Sequence, residues 1–243
     1  MPKSMLIKTM FGQGLARLTI LAILVLLVPA GLFAQGQTIA VNDFAITPPN
    51  TPVDINVIAN DTAGNGTFAL DKIKNTDPKH GTVAYNDDGT FTYTPDQDFS
   101  SPDPDTFNYE VCDTATPDPS CATATVSIIV ANEVPLNIIT RKLNVKKMGV
   151  LPVEIRSSED FDVTTIDPES LKLQGVSPLH WNLAGRKLTL KFHAQQIVSS
   201  LGPVNDGDVV VLLLTGLDAN GVAIAGEDPV IIINKGHKGK HNK

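Results

Sequence analysis

Two cysteines, and the alternating residues around them, constrain this chain more than any other feature. Residues 105–130 hold two arms in which apolar and polar side chains alternate, as in half-buried β-strands. If Cys112 faces Cys121 in an antiparallel pair, Tyr109 faces Ala124 on the apolar side. A slip of one residue would break both the disulfide geometry and the apolar face. The sequence therefore predicts a disulfide-bonded β-hairpin.

A second hairpin is predicted just before the first. A three-residue loop over residues 87–89 places Tyr85 opposite Phe91 on one apolar face, with Gly89 in the left-handed position that such loops need. A two-residue loop would put the apolar faces out of phase. The chain before these hairpins is divided by turn-forming residues.

We expect a first strand at residues 38–41, a second at 53–57 and a weaker third at 68–73. Together with the four hairpin arms this makes about seven short strands without a helical pattern. Such spacing is typical of an immunoglobulin-like β-sandwich.

Several short motifs within residues 37–131 resemble the bacterial Ig-like, cadherin-like repeats of exported surface proteins, the modules of tandem-95-type adhesins. In chain order they are Asn60-Asp61, His80-Gly81-Thr82-Val83, the run from Asp88 to Pro95, the run from Asp105 to Tyr109, and Ala124-Thr125-Val126. The resemblance implies an extracellular sandwich that serves as a stalk or adhesive unit.

The distribution of charge divides the chain near residue 132. Residues 35–132 hold 14 Asp and Glu against 3 Lys and Arg, a net charge of −11, whereas residues 133–243 hold 12 against 13. We therefore expect two domains, 35–132 and 137–234, joined by a short linker that ends at Pro135. The acidic domain is unsuited to phosphate contacts, which argues against a nucleic-acid partner.

The second half is also predicted to be a β-sandwich, so the whole chain is assigned to the all-β class. The expected elements are strands at 150–155, 188–192, 209–214 and 230–233, and a short helix at 194–201. The runs 149–155 and 160–168 are similar to a second β module of bacterial secreted proteins. That module often carries an acidic loop, but the corresponding residues here, 181–187, contain no acid.

The two ends of the chain carry their own signals. A basic N-terminal region, an apolar run over residues 18–28 and a small residue at Ala34 predict a signal peptide over residues 1–34, with Ala30 as a second cleavage candidate and an uncleaved anchor as the alternative. Export would place the cysteines in an oxidising compartment and leave no transmembrane span after cleavage. Residues 235–243 are basic and predicted to be a disordered tail; the alternative is a contact with an anionic polymer.

No catalytic motif is present, and no histidine is paired with a nucleophile or with cysteine at metal-ligand spacing. We therefore expect a non-enzymatic, secreted or cell-surface structural or adhesive protein. Its expected partner is the extracellular matrix, the cell envelope, or a surface protein or polysaccharide. The alternative is an extracellular carbohydrate-binding module. Because Tyr85, Tyr93 and Tyr109 fall on core-facing positions, Trp181 is the one candidate platform for a sugar, unless it packs in the core.

Calcium is the cofactor that the acidic domain suggests, since carboxylate and amide oxygens are its preferred ligands and strand ends can converge in a sandwich. The cadherin-like resemblance points the same way. The same residue types are also what turns require. The candidate ligands lie at predicted strand ends: Asp43, Asn60, Asp61, Asp105 and Asp113.

Overall fold

The computed structural model describes residues 36–146, 149–159 and 161–234. In that part of the chain, strands form four sheets and helical structure is confined to short segments. The predicted all-β class is therefore confirmed. The predicted signal peptide, residues 1–34, and the predicted tail, residues 235–243, lie outside the described residues.

The first sandwich contains seven strands. They are β1 (Asp43–Thr47), β2 (Val53–Asn56), β3 (Lys74–Asn75), β4 (Gly81–Tyr85), β5 (Thr90–Pro95), β6 (Ser101–Cys112) and β7 (Cys121–Val130). One sheet has the order β1-β7-β6-β3 and the other has the order β2-β5-β4. Between them lies an apolar core in which Phe91, Tyr93, Phe107 and Tyr109 are the largest buried side chains.

Both predicted hairpins are confirmed in register. Cys112 lies opposite Cys121 and forms the disulfide, and Tyr109 lies opposite Ala124. In the other hairpin Tyr85 lies opposite Phe91. The loop turns through Gly89, whose φ is +91°, and a Cβ there would come within 2.3 Å of the Ile58 side chain.

Two predicted strands of this half are wrong in position. Residues 38–41 form no strand, and only Ile39 makes a single bridge, to Thr62. The first strand is β1, which pairs in parallel with β7. Ile46, on the outward side of this strand, packs against residues of the second sandwich. This apolar side chain is therefore covered by a tertiary contact and not by the core of its own sandwich.

The expected strand at residues 68–73 is largely a single 3-10 turn, Leu70–Lys72, followed by the two-residue β3. Phe68 and Ile73 both pack against the core. They are five residues apart, and in a continuous strand they would point to opposite faces. The turn lets both side chains face inward.

The second sandwich holds nine strands and one α-helix. They are β8 (Asn132–Glu133), β9 (Leu136–Ile138), β10 (Lys142–Asn144), β11 (Val150–Arg156), β12 (Lys172–Leu173), β13 (His180–Ala184), β14 (Lys187–His193), β15 (Val209–Leu217), β16 (Ala223–Ile233) and α1 (Ala194–Ser200). One sheet has the order β10-β16-β15-β12, with β8 also paired to β16, and the other has the order β13-β14-β11-β9. The four strands and the helix expected here are all present. The sequence did not indicate the short strands β8, β9, β10 and β12, nor β13.

The junction between the sandwiches is tied to both of them, although Asn132, Glu133 and Pro135 are exposed. The chain leaves β7, passes the buried Ala131 and enters β8, which pairs in parallel with β16. The N–H of Ala223 donates to the Ser100 hydroxyl at 2.9 Å, so side chain and backbone bond across the junction. A small apolar cluster of both halves covers this contact, and its buried members are Ile129, Ala131, Ala223 and Ala225.

Within the described ranges, no helix is both long and apolar enough to cross a membrane.

Candidate functional site

Asp105 is buried at the start of the regular part of β6, and both its oxygens are fully engaged. Oδ1 accepts hydrogen bonds from the backbone N–H groups of Lys79 and Thr106, each at 3.0 Å. Oδ2 accepts one from the N–H of His80 at 2.9 Å and one from the Tyr93 hydroxyl at 3.0 Å. Burial raises the pKa of Tyr93, and the bond to Asp105 raises it further, so the hydroxyl remains a donor. Asp105 therefore fixes the chain entering β4.

Asp113 plays a similar part after the other end of β6. Its Oδ1 accepts from the N–H groups of Ala115 and Ser120, at 3.1 and 3.0 Å, and its Oδ2 accepts from the N–H of Asn65 at 2.9 Å. Burial alone would raise the pKa of this carboxyl, but these donors hold it below its ordinary value. The carboxylate closes the loop that carries the disulfide.

The remaining candidates do meet, around the hydroxyl of Tyr109. That hydroxyl donates to Asp61 Oδ2 at 2.9 Å and also lies 3.0 Å from the carbonyl oxygen of Val57. The other oxygen of Asp61 accepts from the N–H of Val41 at 2.7 Å. Asn60 lies beside it and donates to the carbonyl of Asn42 at 3.3 Å.

Asp43 lies next to this group, and its Oδ2 is buried without a hydrogen-bond partner among the described residues. Burial raises the pKa of Asp43 to about 6; the Tyr109 hydroxyl opposes this, and the nearby Asp61 carboxylate adds to it. Two carboxyl groups therefore lie beside one tyrosine hydroxyl, and one of them, Asp43, has a raised pKa.

The five predicted calcium ligands therefore do not form one site. Asp105 and Asp113 are eight residues apart along an extended chain, which separates them by about 26 Å. Their oxygens, and those of Asp61, already accept backbone or tyrosine hydrogen bonds. In the described part of the chain, no group of three or more His, Cys, Asp or Glu is placed to hold a metal ion. These acidic residues hydrogen-bond to the backbone of nearby turns and loops, which is the alternative to calcium binding that the sequence also offered.

The second sandwich presents a different kind of surface, at the edge strand β13. Leu179, Trp181 and Leu183 alternate along this edge and are 48%, 38% and 37% exposed. Trp181 lies opposite Leu190 of β14, whose side chain is fully buried. The tryptophan is thus on the core-facing side of its sheet, but at an edge where the ring remains accessible, and it is not a core residue.

A groove of about 470 Å³ runs beside this tryptophan. It combines apolar and polar groups, and the residues that line it are Glu169, Ser177, Pro178, Leu179, His180 and Trp181. Among the described residues, the carboxylate of Glu169, the Ser177 hydroxyl and the His180 ring have no side-chain hydrogen-bond partner. This groove brings together an exposed aromatic ring and free polar groups.

Sequence reasoning singled out Trp181 as an aromatic candidate but missed Glu169, Ser177 and His180. A period-two pattern could have revealed the strand, since Leu179, Trp181 and Leu183 alternate before the Gly185-Arg186 turn. The placement of Glu169, twelve residues earlier, depends on the fold.

The family comparison identifies the first sandwich. Residues 35–129, which are 95 of the 243 residues, match the family model for a bacterial Ig domain. The match covers the disulfide hairpin and both Tyr–Asp contacts, and it confirms the family resemblance predicted from the motifs. No curated protein matches the chain.

Several solved structures can be superposed on most of this chain. They include an endo-fucoidan hydrolase of glycoside hydrolase family 107 (13% identity, 85% of this chain and 30% of that one, TM-score 0.29). SGBP-B of the Bacteroides ovatus mixed-linkage glucan utilization locus, in complex with a mixed-linkage heptasaccharide, also overlaps (13% identity, 87% and 46% of the two chains, TM-score 0.31). A third is the fibronectin(III)-like modules of Clostridium thermocellum CbhA (10% identity, 85% and 98%, TM-score 0.26). The chain spans less than half the length of the first two, and at these scores the overlaps say nothing about its function.

Proposed function

We propose that this protein is a non-enzymatic structural or adhesive protein of the bacterial cell surface or extracellular space. The observation that carries the proposal is the bacterial Ig domain, clamped by a disulfide between Cys112 and Cys121. Domains of this family typically belong to exported surface proteins, and a disulfide persists in an oxidising compartment.

The construction of the described chain supports a mechanical role. In the first sandwich the carboxylates of Asp105 and Asp113 accept hydrogen bonds from backbone amides, and Asp105 also accepts one from the Tyr93 hydroxyl, so these groups hold loops rather than acting on a substrate. The junction at Ala131 is buried and hydrogen-bonded, so the second sandwich is held by the first instead of swinging on a free linker. A module of this kind transmits force or presents a binding surface at a fixed position.

The location is tested by expressing the full chain with a C-terminal epitope and separating cytoplasm, envelope and medium. We expect the protein outside the cytoplasm, with a new N-terminus at Gln35 when the mature protein is sequenced. Removal of residues 18–28 is the matched control and should leave the protein in the cytoplasm with both thiols reduced. Full-length protein in the cytoplasm of the unaltered strain would refute the proposal.

Calcium is not part of the proposed function, because Asp105 and Asp113 lie apart from the group of Asp43, Asn60 and Asp61, and the oxygens of Asp61, Asp105 and Asp113 already accept hydrogen bonds. We expect the melting temperature of the purified protein to be the same in 5 mM calcium chloride, roughly five times the weakest extracellular affinities, as in chelator. Magnesium controls for charge screening. A rise with calcium alone, lost in the Asp61→Ala variant, would show that the acidic end rearranges to bind the ion.

A further inference from the structure

We propose that the groove beside β13 binds a neutral polysaccharide, with Trp181 as the platform on which a sugar ring stacks and Glu169 as its hydrogen-bonding partner. The inference deepens the proposed function, because it names polysaccharide as the class of partner and the second sandwich as the part that binds it. It rests on the proposed extracellular location, where such polymers are accessible, but the binding itself is measurable on the purified protein.

The first step of the argument is the position of Trp181. Its cross-strand partner, Leu190, is fully buried, whereas Trp181 as a residue remains 38% exposed at the sheet edge. A large aromatic side chain left partly in water gains by being covered, and its flat face suits a flat apolar surface. The two neighbours on the same side, Leu179 and Leu183, extend this apolar strip along the strand.

The second step is the chemistry around the ring. A pyranose has one face of C–H groups and a rim of hydroxyls, so it needs an apolar platform with donors and acceptors beside it. The groove supplies the indole of Trp181 together with the carboxylate of Glu169, the hydroxyl of Ser177 and the imidazole of His180. Small-ligand sites commonly combine an apolar wall with a few convergent polar groups in this way.

The third step concerns charge. Glu169 is the one charged residue among those that line the groove. A carboxylate can accept hydrogen bonds from two adjacent sugar hydroxyls but repels uronic acids and sulfated sugars. The ligand expected from this lining is therefore neutral.

The same surface has a rival occupant, a second protein strand. Residues 177–185 carry no charge, whereas exposed edge strands are usually protected by charged side chains. Strand addition would use the backbone of β13 and would not require Glu169 or Ser177. The free polar groups beside the tryptophan favour the sugar, and the test below separates the two.

Trp181 is the sole tryptophan of the chain, so intrinsic tryptophan fluorescence reports on this groove alone. Purified full-length protein is titrated with cellohexaose, laminarihexaose, mannohexaose, xylohexaose and chitohexaose, with an alginate hexamer as the acidic comparison. We expect at least one neutral hexasaccharide to change the emission saturably, with a Kd on the order of 10⁻⁴ M, and the acidic one to have no effect.

Calorimetry then measures the same sugar on variants. Trp181→Ala should abolish detectable binding, Trp181→Phe should retain part of it, and Glu169→Gln should weaken it about 10-fold. Val209→Ala, an exposed apolar residue of β15 outside the groove lining, is the control and should change Kd less than about 2-fold. Thermal melts confirm that the variants are folded.

Three results would overturn the proposal. One is that none of the five sugars binds at concentrations up to about 10 mM, a Kd of a few millimolar being the weakest binding of interest. Another is that binding survives Trp181→Ala. The third is a concentration-dependent dimer, lost in Trp181→Ala and indifferent to sugars, which would assign the strand to self-association. Each leaves the fractionation result untouched, so failure here is distinguishable from failure of the proposed location.

Discussion

The two sandwiches of this chain use their aromatic and acidic residues in opposite ways. In the first, four aromatic rings fill the core, and the hydroxyls of Tyr93 and Tyr109 reach carboxylates, those of Asp105 and Asp61. In the second, the core is almost wholly aliphatic, with Phe192 its one fully buried aromatic side chain in the described ranges, while Trp181 lies at an edge. The comparison teaches that a high density of acids need not mean a ligand site, because the carboxylates of the first sandwich mainly hold its own backbone.

The largest test of this comparison is removal of Asp105. Asp105→Ala leaves three backbone N–H groups without their acceptor and the Tyr93 hydroxyl with only the His80 carbonyl, so we expect the free energy of unfolding to fall by about 3 to 4 kcal/mol. Urea unfolding of the full chain measures it. Asp103→Ala, two residues earlier and exposed, is the control and should cost less than about 0.5 kcal/mol. An equal loss of unfolding free energy in the two variants would mean that the hydrogen bonds of Asp105 do not stabilise the first sandwich.

The disulfide provides the next largest effect. Replacing both Cys112 and Cys121 with alanine opens a loop of about ten residues and should cost about 2 to 3 kcal/mol on the chain-entropy estimate. The loss should be confined to unfolding of the first sandwich, since the cysteines are both there. Thiol counting on the native protein, denatured without reductant, should find none; two reactive thiols would contradict the structure.

The junction between the sandwiches should have a smaller effect. The two-domain division remains a prediction, and the structure sharpens it: segment 36–132 alone should melt cooperatively, but about 1 to 2 kcal/mol less stably than in the full chain. The reason is that Ile46 and Ile129 lose their apolar neighbours and Ser100 loses the N–H of Ala223. Circular dichroism melts of both proteins measure the difference. An unfolded segment would show that the halves share one core; identical stability would show that the junction contributes nothing.

The smallest expected effect is that of Asp43. Its pKa is raised to about 6 in the folded protein, against about 3.9 when unfolded, so the folded state binds more protons between these values. By linkage, its contribution to stability falls as pH rises from about 4 to 6 and stays unfavourable above that.

The Asp43→Asn variant removes this titration. It should be more stable than the unaltered protein by about 1 kcal/mol at pH 8, less than the full shift implies because Asp43 is only half-buried and screened, and the gain should vanish near pH 4. Urea unfolding across this pH range, with the exposed Asp77→Asn as control, measures it. A gain that is the same at pH 4 and pH 8 would rule out proton linkage at Asp43.

Much of the first sandwich was predictable because its signals are local. Period-two alternation with one disulfide fixed the register of β6 and β7, and the loop at Gly89 fixed β4 and β5. The strand β1 was misplaced because its outward Ile46 is covered by residues more than eighty positions later in the chain. The 3-10 turn at Leu70 was missed because Phe68 and Ile73, on either side of it, both reach the core only when the chain bends between them.

By itself, the sequence determined the all-β class, the disulfide hairpin and the resemblance of residues 37–131 to bacterial Ig-like domains, since alternation, turn residues and motifs act over short distances along the chain. Only the tertiary structure decided what the polar and aromatic residues do. The sequence alone leaves Asp105 open as a metal ligand, whereas in the fold its oxygens accept hydrogen bonds from the N–H groups of Lys79 and His80. Trp181 could have been buried until β13 was placed at a sheet edge beside Glu169. The sequence specifies the chemical type of each side chain, but the contacts of that side chain depend on which distant segments the fold packs against it.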